Sequence, residues 1–322
     1  MPITPISLTD SIDSLWTTTM RNYKKTLVDN FFRKQVLLYL LDKKGRKVYE
    51  SGGYQIVVPG IFSDNPNVGS FSKYDVVATD PSDEFLPGIF DWKFVSGAVT
   101  ISTEELLKNS GDSAIVNLLE SKIEALERTI RKAINTMLFS DGTGNSSKDL
   151  DGLKLLVDST PTVGTYGGIN RATYTGWQNY AKASAGSFAT NGKTEMLNAW
   201  VQVADGDEIP DVCITDPTTW SYYHQSVQEH LRLVDSKLND VGFTNLAFMN
   251  TPVTFDRLCD AGFMYFLNTD YIKFYVHKDG DFKTEPFIPA IKQHAKTSKT
   301  LFCGNLIATK MVCHGVITGF TA

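Results

Sequence analysis

Residue types able to do chemistry are present, but their spacing fails each reaction in turn. Gly192-Lys193-Thr194 matches the end of a phosphate loop. That loop needs four residues between its glycines and a buried strand before it. Gly186 and Gly192 enclose five, so a surface loop opening a helix is the better reading. Asp205, Asp207, Glu208 and Asp211 lack the alternating ligands and twelfth-position Glu of a calcium loop, and read as a solvated turn. His277-Lys278-Asp279-Gly280-Asp281 holds ligand types, yet Asp-Gly between strands signals a hairpin turn. Cys303, Cys313 and His314 lack the short spacing of a zinc site. His224 and His230 fall on different helix faces. No Gly-x-Ser-x-Gly occurs. No catalytic, cofactor or metal site is predicted. A soluble α/β enzyme stays as a rival, because a triad can be assembled from distant residues.

If not chemistry, then architecture. The 322 residues suffice for one large or two medium domains, with 42% hydrophobic and 21% charged residues. The net charge of −5 excludes a general pull toward nucleic acid. It is unevenly spread: residues 1–50 carry nine basic against five acidic side chains, or +4, leaving −9 elsewhere. A basic arm on an acidic body suits contact with something anionic or with a neighbouring copy. Cys213, Cys259, Cys303 and Cys313 lie in apolar surroundings and read as reduced core residues. The first residues carry no basic and apolar secretory pattern, and the longest apolar run, Val36 to Leu41, is far short of a membrane span.

The dominant element is Ser113–Gly142. Val116, Leu119, Ile123, Leu126, Ile130, Ala133 and Met137 step by three and four, predicting one amphipathic helix over 113–139. Ser113 suits its N-cap and Gly142 its stop. Glu124 with Arg128, and Glu127 with Arg131, form well-oriented i,i+4 pairs. At 1.5 Å per residue the rod spans roughly 40 Å, long for a globular domain.

Other elements follow in order. Residues 1–20 read as an extended arm, and 21–41 as a helix ended by Lys43-Lys44-Gly45. Strands are predicted at 54–58, 89–95 and 98–101. The intervening Phe62–Leu86 is too long for a tight hairpin and reads as a two-stranded excursion that needs a partner surface. Beyond the rod come a Gly-rich linker, a helix at 193–204, a strand at 212–215 and a helix from Pro217 to Leu231. Strands are expected at 255–258, 264–267 and 272–276, with a strand-like tail from Leu301 to Phe320.

That order resembles the major capsid protein of tailed bacteriophages, a fold shared with encapsulins and the herpesvirus capsid floor. Two stretches carry the resemblance further. One is Leu150-Asp151-Gly152-Leu153 with Gly164-Thr165-Tyr166-Gly167-Gly168-Ile169-Asn170-Arg171 and Trp177; the other is Phe266-Leu267-Asn268-Thr269-Asp270-Tyr271-Ile272. The resemblance covers nearly the whole chain. It implies an α+β fold with an N-arm at 1–48, an E-loop with its roots at 49–100, and a P-domain at 101–174 with its spine helix at 113–139. An A-domain at 175–300 and a C-terminal strand at 301–322 complete it.

The same resemblance implies a shell subunit. Copies would form pentamers and hexamers of an icosahedral or prolate head, with phage double-stranded DNA touched weakly and without sequence preference. Assembly contacts are expected at Arg21, Lys24 and Lys25 in the arm, and at Asn65, Lys73, Asp75 and Glu84 in the loop. Glu124, Arg128 and Arg131 are expected to contribute from the spine. Met1 directly precedes the arm, as in members that rely on a separate scaffolding protein. A portal protein is implied as well, with a decoration protein left open. No cofactor and no membrane are implied, and the place is the virion capsid, assembled in the bacterial cytoplasm. Some relatives cross-link a loop lysine to a neighbour's Asn. Lys73 lies in that loop, though one lysine does not establish the chemistry. An encapsulin-like compartment is the nearest alternative.

Overall fold

The structure, a computed structural model, describes residues 36–61, 67–81, 85–108, 118–183, 185–227, 246–290 and 293–322. The described residues begin with α1 (Val36–Lys43), β1 (Lys47–Glu50), β2 (Ile56–Ile61), β3 (Phe85–Phe90) and β4 (Lys93–Ser102). Then come α2 (Thr103–Lys108), α3 (Leu118–Leu138), β5 (Thr165–Tyr166), β6 (Ile169–Asn170), β7 (Tyr180–Lys182), β8 (Gly186–Ser187) and α4 (Lys193–Val203). Next are β9 (Val212–Thr215), α5 (Pro217–Val227), β10 (Leu246–Phe248), β11 (Thr251–Phe255), β12 (Met264–Leu267) and β13 (Ile272–His277). β14 (Lys283–Thr284), β15 (Ile288–Pro289), β16 (Ala295–Ala308), β17 (Gly315–Ile317) and β18 (Phe320–Thr321) finish it. The architecture is α+β. Two compact units emerge: one of Ser96–Arg131 and Phe282–Leu301, the other of Lys34–Val95, Lys132–Asp281 and Phe302–Ala322.

In the larger unit, α1 buries Val36, Leu37, Leu40 and Leu41. Gly45 (φ +64°) closes it, with Arg46 N–H donating to Leu41 O at 2.9 Å and Gly45 N–H to Asp42 O at 3.0 Å. This is the Schellman stop expected from Lys43-Lys44-Gly45. A sheet runs in the order β10-β11-β9-β12-β17-β7. Strands β9 and β12 are buried at every position, so they read as continuous apolar runs rather than alternating ones. Phe188, Met196, Cys213, Met264, Phe266 and Phe320 form the core of that lobe. Asp216 caps α5: its Oδ2 accepts the N–H groups of Thr218 and Thr219 at 3.0 and 3.2 Å, ahead of Pro217.

In the smaller unit, Ser102 and Glu105 form a reciprocal capping box at the start of α2. Lys122 Nζ donates to Glu105 Oε2 at 2.9 Å and ties α3 to α2. Gly97 of β4 lies so close to α3 that a Cβ would sit 2.6 Å from Leu126 Cδ1. Strands β14 and β15 pair antiparallel with residues 296–301 of β16.

Several expectations need correction. The rod is described from Leu118, and 113–117 lie outside the described residues. Its buried stripe continues through Ile130, Ile134 and Leu138, rotating away from Ala133 and Met137. The strand expected at 89–95 is broken at Asp91-Trp92. There Trp92 Nε1 donates to Gly53 O, and Asn305 Nδ2 donates to Asp91 O, at 3.0 and 3.1 Å. The strand expected at 255–258 lies at Thr251–Phe255, because Asp256 Oδ1 accepts Leu258 N–H and turns the chain. The turn at 278–280 is no hairpin: β13 and β14 both pair with β16 instead of each other. Gly280 is needed there because a Cβ would lie 2.7 Å from that of Cys303. The tail strand begins at Ala295, not Leu301. The C-terminal part of the α5 expectation, 228–231, lies outside the described residues.

Candidate assembly surface

The excursion is a ribbon whose root is gripped and whose outer part is not. β2 and β3 pair antiparallel from Ile56 opposite Phe90 to Ile61 opposite Phe85. The root pair Ile56 and Phe90 is buried. The Phe90 ring lies 4.9 Å from Tyr166, which stacks at 5.8 Å on Trp177. Trp177 Nε1 donates to Tyr166 O at 3.0 Å. Between β5 and β6, Gly167 and Gly168 take φ of +61° and +78°, the two left-handed positions of a tight hairpin. A Cβ on Gly167 would lie 2.5 Å from the Phe90 ring. The carbonyl of Gly167 accepts Ile89 N–H at 2.9 Å. Behind the hairpin, fully buried Arg171 donates to Leu155 O and Leu156 O at 2.6 and 3.0 Å and pairs with Asp158 at 3.2 Å. Burial pushes its guanidinium below the ordinary value, and Asp158 opposes that shift. The Gly-rich run is therefore a clamp for the root of the excursion.

Beyond the root, apolar side chains face outward. On one ribbon face Val57, Phe85 and Ile89 are 57, 70 and 42% exposed. In the loop, Val68, Phe71, Tyr74, Val76 and Val77 are each more than half exposed. Single exposed apolar residues are ordinary, whereas a run of this kind marks an interaction surface. Asn67 Nδ2 donates to Asp80 O at 2.6 Å and closes the base of the described loop. Lys73 and Asp75 share one turn there, where Asp75 Oδ2 accepts Ser72 N–H at 2.7 Å. Sequence reasoning chose these charges and missed the apolar residues beside them. The available signal was Pro-Gly-Ile, present in both strands at 59–61 and 87–89.

On the rod, Glu124 and Arg128 form the expected i,i+4 pair. Arg131 places its guanidinium 4.8 Å over the ring of Phe282. Arg21, Lys24, Lys25, Asn65 and Glu84 lie outside the described residues.

Several of the chemistry-bearing residues are engaged within the fold. Lys193 Nζ donates to Ser226 O at 2.5 Å, where a phosphate-loop lysine would face a ligand. The acidic loop is a solvated turn at Asp205 and Asp207, which are exposed, and is pinned at Glu208 and Asp211. Glu208 accepts from Lys310, Tyr271 and Cys313, and the Lys310 bond foremost holds its carboxyl at about 2. Asp211 accepts both the N–H and the hydroxyl of Thr269. All four cysteines are free and buried. Among the described residues no group of His, Cys, Asp and Glu could hold a metal ion, and no helix is long and apolar enough to cross a membrane.

No family model matches the sequence, and no curated protein does. Solved structures do. The chain is similar to a chain of the cyanophage A-1(L) capsid asymmetric unit, with a TM-score of 0.74 at 16% identity, covering 92% of this chain and 96% of that one. It is similar to the capsid of the Myoviridae phage XM1, at 0.60 and 10%, covering 94 and 97%. The SrpI encapsulin of Synechococcus elongatus follows at 0.56 and 8%, covering 94% of each. The chain has the fold of the tailed-phage major capsid proteins, which encapsulins share.

Proposed function

We propose that this chain is the major capsid protein of a tailed phage. The excursion carries the reading: a gripped root, a long apolar outer part, and a fold otherwise found in shell subunits. A lone subunit leaves that surface in water, and neighbouring copies would cover it. In this reading copies assemble as pentamers and hexamers around double-stranded DNA. The excursion lies on the next subunit's spine helix, with Lys73, Asp75, Glu124, Arg128 and Arg131 at that contact and Asn65 and Glu84 near the loop tip. Arg21, Lys24 and Lys25 brace neighbours from the N-arm. The division into N-arm 1–48, E-loop 49–100, P-domain 101–174, A-domain 175–300 and terminal strand 301–322 belongs to the same proposal. So do a separate scaffolding protein, a portal protein, assembly in the host cytoplasm, and a purely structural role without catalysis.

An encapsulin-like compartment is the second reading, favoured by the match to SrpI across 94% of both chains. The cyanophage match is the stronger by TM-score. Negative-stain microscopy of the purified protein, alone and with co-expressed candidate scaffold, tests the proposal. Closed shells that take up DNA in phage-producing cells are expected. Small shells of fixed size loaded with an enzyme, and free of DNA, would move the assignment to the compartment.

A further inference from the structure

The ribbon β2–β3 has two ways to meet another chain: by an edge, adding a strand, or by a face, through side chains. Its backbone decides between them. Ile89 N–H leaves the ribbon to reach Gly167 O at 2.9 Å, so Ile89 and its partner Val57 form a non-hydrogen-bonded pair. By the two-residue period, Pro87 and its partner Pro59 form the next such pair, with their nitrogens turned outward. That is where a strand tolerates proline, since no ladder bond is lost. Each outer edge thereby lacks a donor at its centre. On β3 the three outward positions are Phe85, Pro87 and Ile89: one has no N–H, and one is taken by Gly167. An added strand needs a donor at every second residue, and neither edge offers that series.

The face shared by these same residues is the opposite case. Val57, Pro59, Phe85, Pro87 and Ile89 lie on it, all exposed and none charged or polar. With the exposed loop residues, and at about 150–250 Å² for a large side chain, roughly 1,000 Å² of apolar surface is on offer. A standard interface takes about 800 Å² per partner. We propose that the excursion binds a second copy of this chain through its Val57–Phe85–Ile89 face, and that Pro59 and Pro87 close both edges against strand addition. The inference rests on the shell reading above and names the face that reading leaves open. The edge closure also protects the free subunit, because an apolar two-stranded ribbon with open edges templates aggregation.

The test compares three full-length variants with the wild type by sedimentation and negative stain under conditions where the wild type assembles. The face variant is Val57→Glu with Phe85→Glu, and Phe85→Glu alone serves as the milder version. The edge variant is Pro59→Val with Pro87→Val. Circular dichroism and melting of the unassembled subunit report folding. The face variants should keep the wild-type melt and lose at least tenfold in the fraction sedimenting as shells. The edge variant should still form shells and add a fibrous, thioflavin-positive fraction. Face variants that assemble like the wild type overturn the face assignment. An edge variant that abolishes shells, or adds no fibres, overturns the role of the prolines. A wild type that forms no particle under any condition overturns the shell reading itself, a result the variants do not mimic.

Discussion

Strands β9 and β12 and ribbon β2–β3 are made of the same residue types and end in opposite environments. Val212-Cys213-Ile214-Thr215 and Met264-Tyr265-Phe266-Leu267 are buried on both faces. Ile56-Val57-Val58-Pro59-Gly60 and Phe85-Leu86-Pro87-Gly88-Ile89-Phe90 bury the root pair and present one apolar face to water. The first set stabilises the subunit by its own burial, at about 25 cal/mol per Å². The second set gains nothing comparable until something covers it. Apolarity in a sequence thus marks surfaces that need burial, without saying whether the same chain supplies it. The two regions should respond differently to mutation: body residues set the stability of the subunit, and excursion residues set its association.

The largest effect is expected at Arg171. Arg171→Ala removes the guanidinium from Asp158 Oδ2 and from the carbonyls of Leu155 and Leu156, and should cost about 3–5 kcal/mol in urea unfolding. An effect no larger than that of Phe85→Glu would erase the distinction between body and excursion.

Next comes His314, fully buried, whose Nδ1 accepts Asn268 N–H at 3.3 Å. Burial lowers its pKa from 6.5 to about 4, with nearby Asp211 opposing. The unfolded chain therefore binds the proton more readily. This contribution to stability is complete above pH 6.5 and is lost as pH falls toward 4, on the order of 3 kcal/mol. Urea midpoints at pH 7 and pH 4 should fall further for wild type than for His314→Gln. Equal falls would remove His314 as the cause.

A smaller cost belongs to the junction between the two regions. Gly167→Ala forces a Cβ against Phe90 in a left-handed backbone, and should cost about 1–3 kcal/mol. Hydrogen exchange at Ile89 N–H should rise with it; unchanged protection would mean the hairpin does not hold the ribbon. Smallest is the surface pair of Glu124 and Arg128. Arg128→Ala should change subunit stability by about 0.3–0.5 kcal/mol, and a larger loss would mean that the pair is more than an exposed helix contact.

Much of this was legible because local patterns agree with the fold. The rod announces itself by three- and four-residue steps, and α1 by its Gly45 stop. The break at Asp91-Trp92 was not legible, because its causes, Gly53 and Asn305, lie far along the chain. The N-terminal half of β16, Ala295-Lys296-Thr297-Ser298-Lys299-Thr300, is polar and becomes a strand through its neighbours β14 and β15. In the assembly surface, charge drew attention to Lys73 and Asp75, yet Asp75 is occupied within its own turn. The apolar residues around them looked like ordinary strand and loop content until their exposure was known.

The most direct measurement replaces residues 64–84 with Asn-Gly and compares that protein with wild type by sedimentation velocity, negative stain and thermal melting. The expected result is wild-type shells beside a deletion variant that melts like the intact subunit and stays unassembled. A deletion variant that cannot fold, or one that closes shells as the wild type does, would contradict the division between a self-sufficient body and an excursion built for a neighbour.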